Sequence, residues 1–422
     1  MFSLVKRKFN LDQERKRLLE NFLSLVIVQG TNFILPFVTL PYLVRILGTD
    51  RFGLIAFAQA FIQYFNILTD YGFNLSATRE ISVNRDNKKK VSEIFSAVMI
   101  IKSFLLLLSF LILTGIILFA DKFRKDWLVY YLTFGIVVGQ VLFPIWFFQG
   151  VEKMKYVTLL NVITKVFFTV LVFLFIHRSS DYLYVPLINS LGFLVSGLLA
   201  MWIVFKNFNV RFILPDTKII IKYFHDSSQF FISRVSVSVY TSTNAFVLGL
   251  FLGNKIVTYY TVAEKLYIGL QQLYLPLVNT LYPYVAYKRN VSLYKRIFKF
   301  ATIANIMLII LLWNLSDRIV EVVFGSGLTI SVSIFKILLL SALLVVPSIL
   351  LGYPFLAALG YAKYANMSVV AGSLLHLVGL GILLIMGIIN VYNVALMVVI
   401  TEGFVLLIRL YGVKKNNLWR IN

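Results

Sequence analysis

Cysteine is absent from the 422 residues. Disulfides and thiolate metal sites are therefore excluded. Histidine occurs three times, at His177, His225 and His376, too far apart in the chain for metal-ligand spacing. Neither a Walker A run nor a G-x-G-x-x-G is present, so no nucleotide or dinucleotide cofactor is implied. Charge is scarce, at 14% of residues, against about 25% in an ordinary soluble protein. Acids are scarcer still: 18 Asp and Glu face 40 Lys and Arg, for a net charge of +22. In a soluble chain that excess would suggest nucleic acid. In an apolar one it reads as basic loops held on the cytoplasmic side of a membrane, and no nucleic-acid partner is expected.

Apolar residues make up 59% of the chain. A helix needs roughly 20 of them in a row to cross the bilayer core. Twelve stretches qualify: 21–46, 53–77, 93–119, 127–149, 156–176, 182–205, 229–252, 257–285, 298–316, 330–356, 367–389 and 391–412. No soluble domain fits between them. The polar, basic N-terminus precedes the first apolar run and no small-residue cleavage site follows closely, which predicts a retained first span rather than a signal peptide. With the N-terminus inside, the inside segments carry 27 Lys and Arg and the outside segments eight. The C-terminal group of inside cations includes Arg409. This bias predicts a multi-pass protein of the cytoplasmic membrane with both termini in the cytoplasm. Trp127, Trp146, Trp202 and Trp313 fall near predicted span ends, where interfacial indoles belong.

The two halves of the chain echo each other. Leu47-Gly48 and Ala58-Gln59 recur 205 residues later as Leu252-Gly253 and Ala263-Glu264. Pro144, Gly150 and Lys153 recur 210 residues later as Pro354, Gly360 and Lys363. Six spans per copy is an even number, so the copies share an orientation and their relating axis runs along the membrane normal. The expected architecture is all-α: twelve transmembrane helices in two six-helix parallel-repeat halves around a central cavity. The halves are residues 1–205 and 229–422, joined by a basic cytoplasmic linker at 206–228.

Five cations lie inside predicted spans: Lys102, Lys165, Arg234, Lys265 and Lys336. A charge at the centre of a span costs about 2.5–3.5 kcal/mol on insertion scales. Such groups face water, a partner or a ligand, or else lie near an interface and snorkel; Lys336 and Arg234 are close enough to helix starts for snorkelling. Asp70, Glu264 and Glu402 are the acids within spans, and so the candidates for ion coupling or charge balance. Gln59, Gln63, Asn66 and Asp70 are spaced for one helical face, as are Gln29, Asn32 and Pro36. The same amides could serve only to join helices. The candidate substrate site comprises Arg234, Lys165, Lys102, Lys265, Gln29, Asn32, Gln59, Gln63 and Asn66.

Three segments carry a family resemblance: Pro41-Tyr42-Leu43-Val44-Arg45-Ile46-Leu47-Gly48, the run from Leu68 to Glu80 (LTDYGFNLSATRE), and Trp146-Phe147-Phe148-Gln149-Gly150-Val151-Glu152-Lys153-Met154. They resemble the polysaccharide-transporter branch of the multidrug/oligosaccharidyl-lipid/polysaccharide flippase superfamily, and within it the Wzx-type O-antigen flippases. The motifs cover the N-terminal half; the C-terminal half agrees only in pattern. The resemblance implies a bacterial inner-membrane transporter, not an enzyme. Its substrate would be an undecaprenyl-diphosphate-linked oligosaccharide of lipopolysaccharide biosynthesis, moved from the inner to the outer leaflet. Membrane lipids, a polysaccharide polymerase and a chain-length regulator are the further partners to consider. A basic cavity suits a lipid diphosphate. A drug exporter of the same superfamily is the alternative, although cationic drugs would favour acidic groups. A membrane polymerase or glycosyltransferase would need a sizeable outside loop with catalytic groups, and every predicted outside loop is short.

Overall fold

The computed structural model describes the backbone from residue 2 to residue 420 and the side chains of residues 35–231 and 242–419. Among the described residues all regular structure is helical. The helices are α1 (Phe2–Asp70), α2 (Phe73–Asn84), α3 (Lys88–Phe119), α4 (Asp121–Arg124), α5 (Trp127–Leu142), α6 (Ile145–Gly150), α7 (Met154–Phe175) and α8 (Tyr184–Asn207). They continue with α9 (Thr217–Leu252), α10 (Asn254–Gln272), α11 (Leu275–Lys288), α12 (Val291–Phe324), α13 (Thr329–Leu351), α14 (Ala362–Ile385) and α15 (Val391–Lys415). Nine segments among the described residues are long and apolar enough to cross a membrane. The chain is an integral membrane protein of the all-α class.

Local chemistry explains where the helices start and stop. Asn87, Asn290 and Asn390 cap α3, α12 and α15, each side-chain oxygen accepting from the backbone N–H three residues on at 3.0, 2.9 and 2.8 Å. At Tyr71 and Gly72 the backbone turns left-handed, which ends α1 and sends α2 off separately. Helix α5 stops at Leu142; Pro144 then starts the short α6. After Leu351 the helix widens to π geometry through Gly352–Ala357, which contains Pro354.

Two glycines share an unusual backbone. Gly48 kinks α1 at φ 71° and ψ 173°. Gly253 separates α9 from α10 at φ 93° and ψ 170°. That region is essentially reserved for glycine. A Cβ at either position would meet nothing within 4 Å, so backbone strain alone sets the penalty for substitution. Gly48→Ala and Gly253→Ala should each destabilise by about 1–3 kcal/mol and to a similar degree. Thermal unfolding in detergent reads this, and a pair of unequal losses would contradict it.

Contacts gather the chain into two compact units. One is Met1–Leu47 with Phe61–Arg234; the other is Gly48–Ala60 with Val235–Asn422. In the first, the Trp146-Phe147-Phe148 run of α6 is buried among Phe95, Tyr156 and Phe208. Gly150 passes so close to α2 that a Cβ would lie 2.6 Å from Ile81. Thr78 donates to the Trp146 carbonyl at 3.2 Å. The segment before α9 lies along α3, with the backbone N–H groups of Arg211 and Ile213 donating to Ser92 and Ser96. In the second unit Phe57 stacks on Phe246, and Thr258 donates to the Thr49 carbonyl at 2.5 Å.

Candidate functional site

Helix α3 presents a lipid-type apolar surface through Phe104, Leu107 and Leu111. Its other face is a buried stripe of Lys102, Leu105, Ser109 and Leu113, at helical spacing. Lys102 is only 4% exposed. The charge acting on it is that of Asp70, half-buried in the last turn of α1. A carboxylate there meets the negative end of the helix dipole, so a nearby ammonium offsets two unfavourable terms together. One turn back, Asn66 donates to Gln63 Oε1 at 3.2 Å. The Asn66 Oδ1 is buried and has no hydrogen-bond partner among the described residues. Lys165 is half-buried on α7. Thus Lys102, Asp70, Asn66 and Gln63 gather in the first unit, while Gln59, which is exposed, groups with the second. Gln29, Asn32 and Arg234 lie outside the described side chains.

The second unit holds the other candidate acids. Glu264 on α10 lies one turn after Tyr260 and acts electrostatically on it. Lys265 follows it with an exposed side chain. Glu402 on α15 is buried and acts electrostatically on Tyr267, whose hydroxyl lies 2.9 Å from Ser341 Oγ on α13. Sequence reasoning missed the group beside them. His376 on α14 is fully buried; its Nδ1 is 2.9 Å from Thr401 Oγ1 and its Nε2 is 2.9 Å from Asn244 Oδ1. Asn244 Nδ2 donates to Tyr260 at 2.8 Å. The available signal was depth: an ionisable residue in the middle of an apolar span marks a site by default.

Two expectations change. Arg409 does not sit in a cytoplasmic tail. It is 7% exposed within α15, donating from Nε to Ser368 Oγ at 2.9 Å and from Nη1 to the Ser348 carbonyl at 2.6 Å and its Oγ at 3.1 Å. The guanidinium is retained because α13 breaks just beyond Ser348, where carbonyls need donors. Trp146 is not interfacial but fully buried, whereas Trp127, Trp202 and Trp313 are exposed. Lys336 reaches Asp317 at 2.9 Å; this partly exposed pair contributes about 0–1 kcal/mol.

Residues 18–289 match the sequence profile of a family described as "Polysaccharide biosynthesis protein". A protein of Escherichia coli (strain K12) described as "Putative O-antigen transporter" is 32% identical over 65% of this chain and 66% of its own length. A protein of Shigella dysenteriae with the same description is 30% identical over 63% of this chain, again 66% of its own length. The match therefore spans about two thirds of each relative. Among solved structures, a lipid II flippase, MurJ, in an inward closed conformation superposes with a TM-score of 0.72 at 15% identity, over 94% of this chain and 87% of that one. An inward-facing multidrug resistance transporter of the MATE family superposes with a TM-score of 0.67 at 14% identity, over 94% and 99%. At these identities the likeness is one of fold.

Proposed function

Because the chain belongs to the polysaccharide biosynthesis protein family, we propose that it is a flippase for an undecaprenyl-diphosphate-linked oligosaccharide, an O-antigen or related repeat unit. Transport runs from the inner to the outer leaflet of the bacterial cytoplasmic membrane by alternating access. The observation that carries this reading is Lys102, a cation held almost without exposure inside a 32-residue apolar helix and within the field of Asp70. A diphosphate needs cations at membrane depth, and a sugar needs amides with spare hydrogen-bonding capacity. The buried Asn66 Oδ1 supplies such an acceptor. Lys165, Lys265 and Arg234 complete the basic set, with Gln29, Asn32, Gln59 and Gln63 as sugar ligands and Asp70, Glu264 and Glu402 as coupling groups.

The proposed architecture is twelve spans in two parallel six-helix copies around a shared cavity. Four matched features support it. Gly48 and Gly253 have the same backbone conformation. Asn87 and Asn290 cap long helices of 32 and 34 residues. Each copy has a helix broken at a proline, at Pro144 and at Pro354. In each, two helices of 22–25 residues follow that break. The copies take residues 1–205 and 229–422, with 206–228 between them, and both termini lie in the cytoplasm. A polymerase and a chain-length regulator act downstream as partners.

Topology offers a direct check, because the parent chain has no cysteine. Single cysteines at Lys90 and Lys155 should be protected from an impermeant maleimide in intact cells, and one at Lys125 should be labelled. Labelling of the Lys90 variant would overturn the orientation. For function, expression in a strain lacking its own flippase for a matching repeat unit should restore surface polysaccharide. Accumulation of lipid-linked repeat units despite normal protein levels would contradict the reading.

A further inference from the structure

Within the second unit, Thr401, His376, Asn244 and Tyr260 form a continuous hydrogen-bonded chain contributed by α15, α14, α9 and α10, and Glu264, one turn along α10, acts electrostatically on Tyr260. Hydrogen counting constrains its state. Thr401 has one hydroxyl hydrogen, and its Oγ1 is 2.7 Å from the Met397 carbonyl, one turn back. Spent there, that hydrogen leaves the threonine oxygen able only to accept from Nδ1. The Met397 carbonyl itself also faces the ring. On the other side, Asn244 directs Nδ2 to Tyr260, which leaves Oδ1 as the acceptor facing Nε2. Both ring nitrogens thus look at acceptors, which is the arrangement an imidazolium requires. Tyr260 Oη accepts from Asn244, so its own hydrogen is free to go to the Glu264 carboxylate.

We propose that His376 is a proton-binding site of the membrane interior, with Glu264 as its counter-charge through the Asn244–Tyr260 bridge. This deepens the flippase reading by naming the proton as a second ligand, yet it can be tested without transport. Histidine is the side chain that changes charge near physiological pH. A buried imidazolium persists only where acceptors and an opposite charge are arranged for it. Loss of the proton leaves one ring nitrogen needing a donor. Either the Thr401 hydroxyl turns from Met397 to Nδ1, or the Asn244 amide reverses. Reversal would present Asn244 Nδ2 to the ring and draw the Tyr260 hydrogen away from Glu264. Protonation of the ring is then felt at a carboxylate on another helix, without a proton having to cross the amide.

The other charged and titratable groups on the surrounding helices, among the described residues, are Lys255, Tyr259, Tyr260, Glu264, Lys265 and Tyr267 on α10 and Tyr392, Glu402, Arg409, Tyr411, Lys414 and Lys415 on α15. Helix α14 adds Lys363 and Tyr364 in its first turn, and α13 adds Lys336, paired with Asp317. Residues 242–252 of α9 carry none. Glu402 acts on Tyr267, and Arg409 is engaged by Ser348 and Ser368. Glu264 is the acid one helical turn from Tyr260, the tyrosine that Asn244 links to the ring.

The test uses the whole chain in lipid nanodiscs. His177→Gln and His225→Gln together leave His376 as the one imidazole, since the chain has three. Both replaced rings are exposed. With nitrogen-15 in histidine, the ring signals are followed from pH 5 to pH 9. The expected result is a single titration to a doubly protonated ring. In Glu264→Gln the midpoint should fall by about one pH unit, a tenfold loss of proton affinity. Should the double variant fold poorly, the parent chain with the His376→Gln spectrum subtracted gives the same reading. A ring that stays in one neutral tautomer throughout, or a midpoint indifferent to Glu264→Gln, overturns the proposal. Failure of the flippase reading would leave this titration untouched.

Discussion

Replacing Lys102 by Met should remove delivery of lipid-linked sugar, lowering surface polysaccharide by tenfold or more. Lys102 is 4% exposed and lies in the field of Asp70. Two consequences follow and must be separated. Deleting the cation leaves the half-buried Asp70 carboxylate undercompensated and so destabilises the fold. Neutralising both is far milder, because neither form has to be kept ionised in a low-dielectric surround. Lys102→Met alone should therefore reduce both the folded fraction and transport. The double change Lys102→Met with Asp70→Asn should recover the membrane protein level but not the polysaccharide. Lys102→Arg should recover part of both, limited by the bulk of a guanidinium in a site shaped for an ammonium. Normal polysaccharide from the double variant would show that the pair only packs.

Arg409→Met should be the most destabilising single change in the second unit, by about 2–4 kcal/mol from the donors withdrawn from buried serine groups. Arg409 bonds Ser348, at the end of α13, and Ser368 on α14. It thereby joins three helices at the point where α13 passes into the π turn, and Gly352 lies against it with room for a Cβ only 3.0 Å from its Nη1. Arg409→Lys should keep the charge yet lose the fork that reaches two serines together, and recover less than half of the loss. Thermal unfolding in detergent measures both. Equal melting temperatures for Arg409→Met and the parent would contradict the clamp.

Much of the helical layout was readable because bilayer thickness imposes its own ruler on the sequence. The Leu-Gly pairs pointed to Gly48 and Gly253, and the prolines to the breaks at Pro144 and Pro354. Other features depend on partners that local sequence does not display. The basic stretch 206–228 reads as a linker, yet its second half is helix from Thr217. Buried Tyr223 and the 2.7 Å contact of Ser227 with Ser76 hold that segment against α2 and override its polar composition. Trp146 has the composition of an interfacial residue and the environment of a core one. Arg409 near the chain end reads as a loop charge, because its serine partners lie 61 and 41 residues away. Asp70 and Lys102 were legible as expensive groups, but their proximity was not. The motif residues that carried the family resemblance, Trp146 to Gly150, turn out to pack α6 against α2 and α3. Such packing constrains the fold rather than the cargo, which is why a motif match names a family more readily than a substrate.

A flippase moves its lipid-linked oligosaccharide vectorially. Its most direct measurement is leaflet exchange in proteoliposomes carrying undecaprenyl-diphosphate oligosaccharide with a fluorescent sugar. The external signal is destroyed with an impermeant quencher, and its reappearance is followed as inner-leaflet substrate emerges. Recovery should occur within minutes, require the protein and be lost in the Lys102→Met, Asp70→Asn double variant. Recovery no faster than in protein-free vesicles would contradict it.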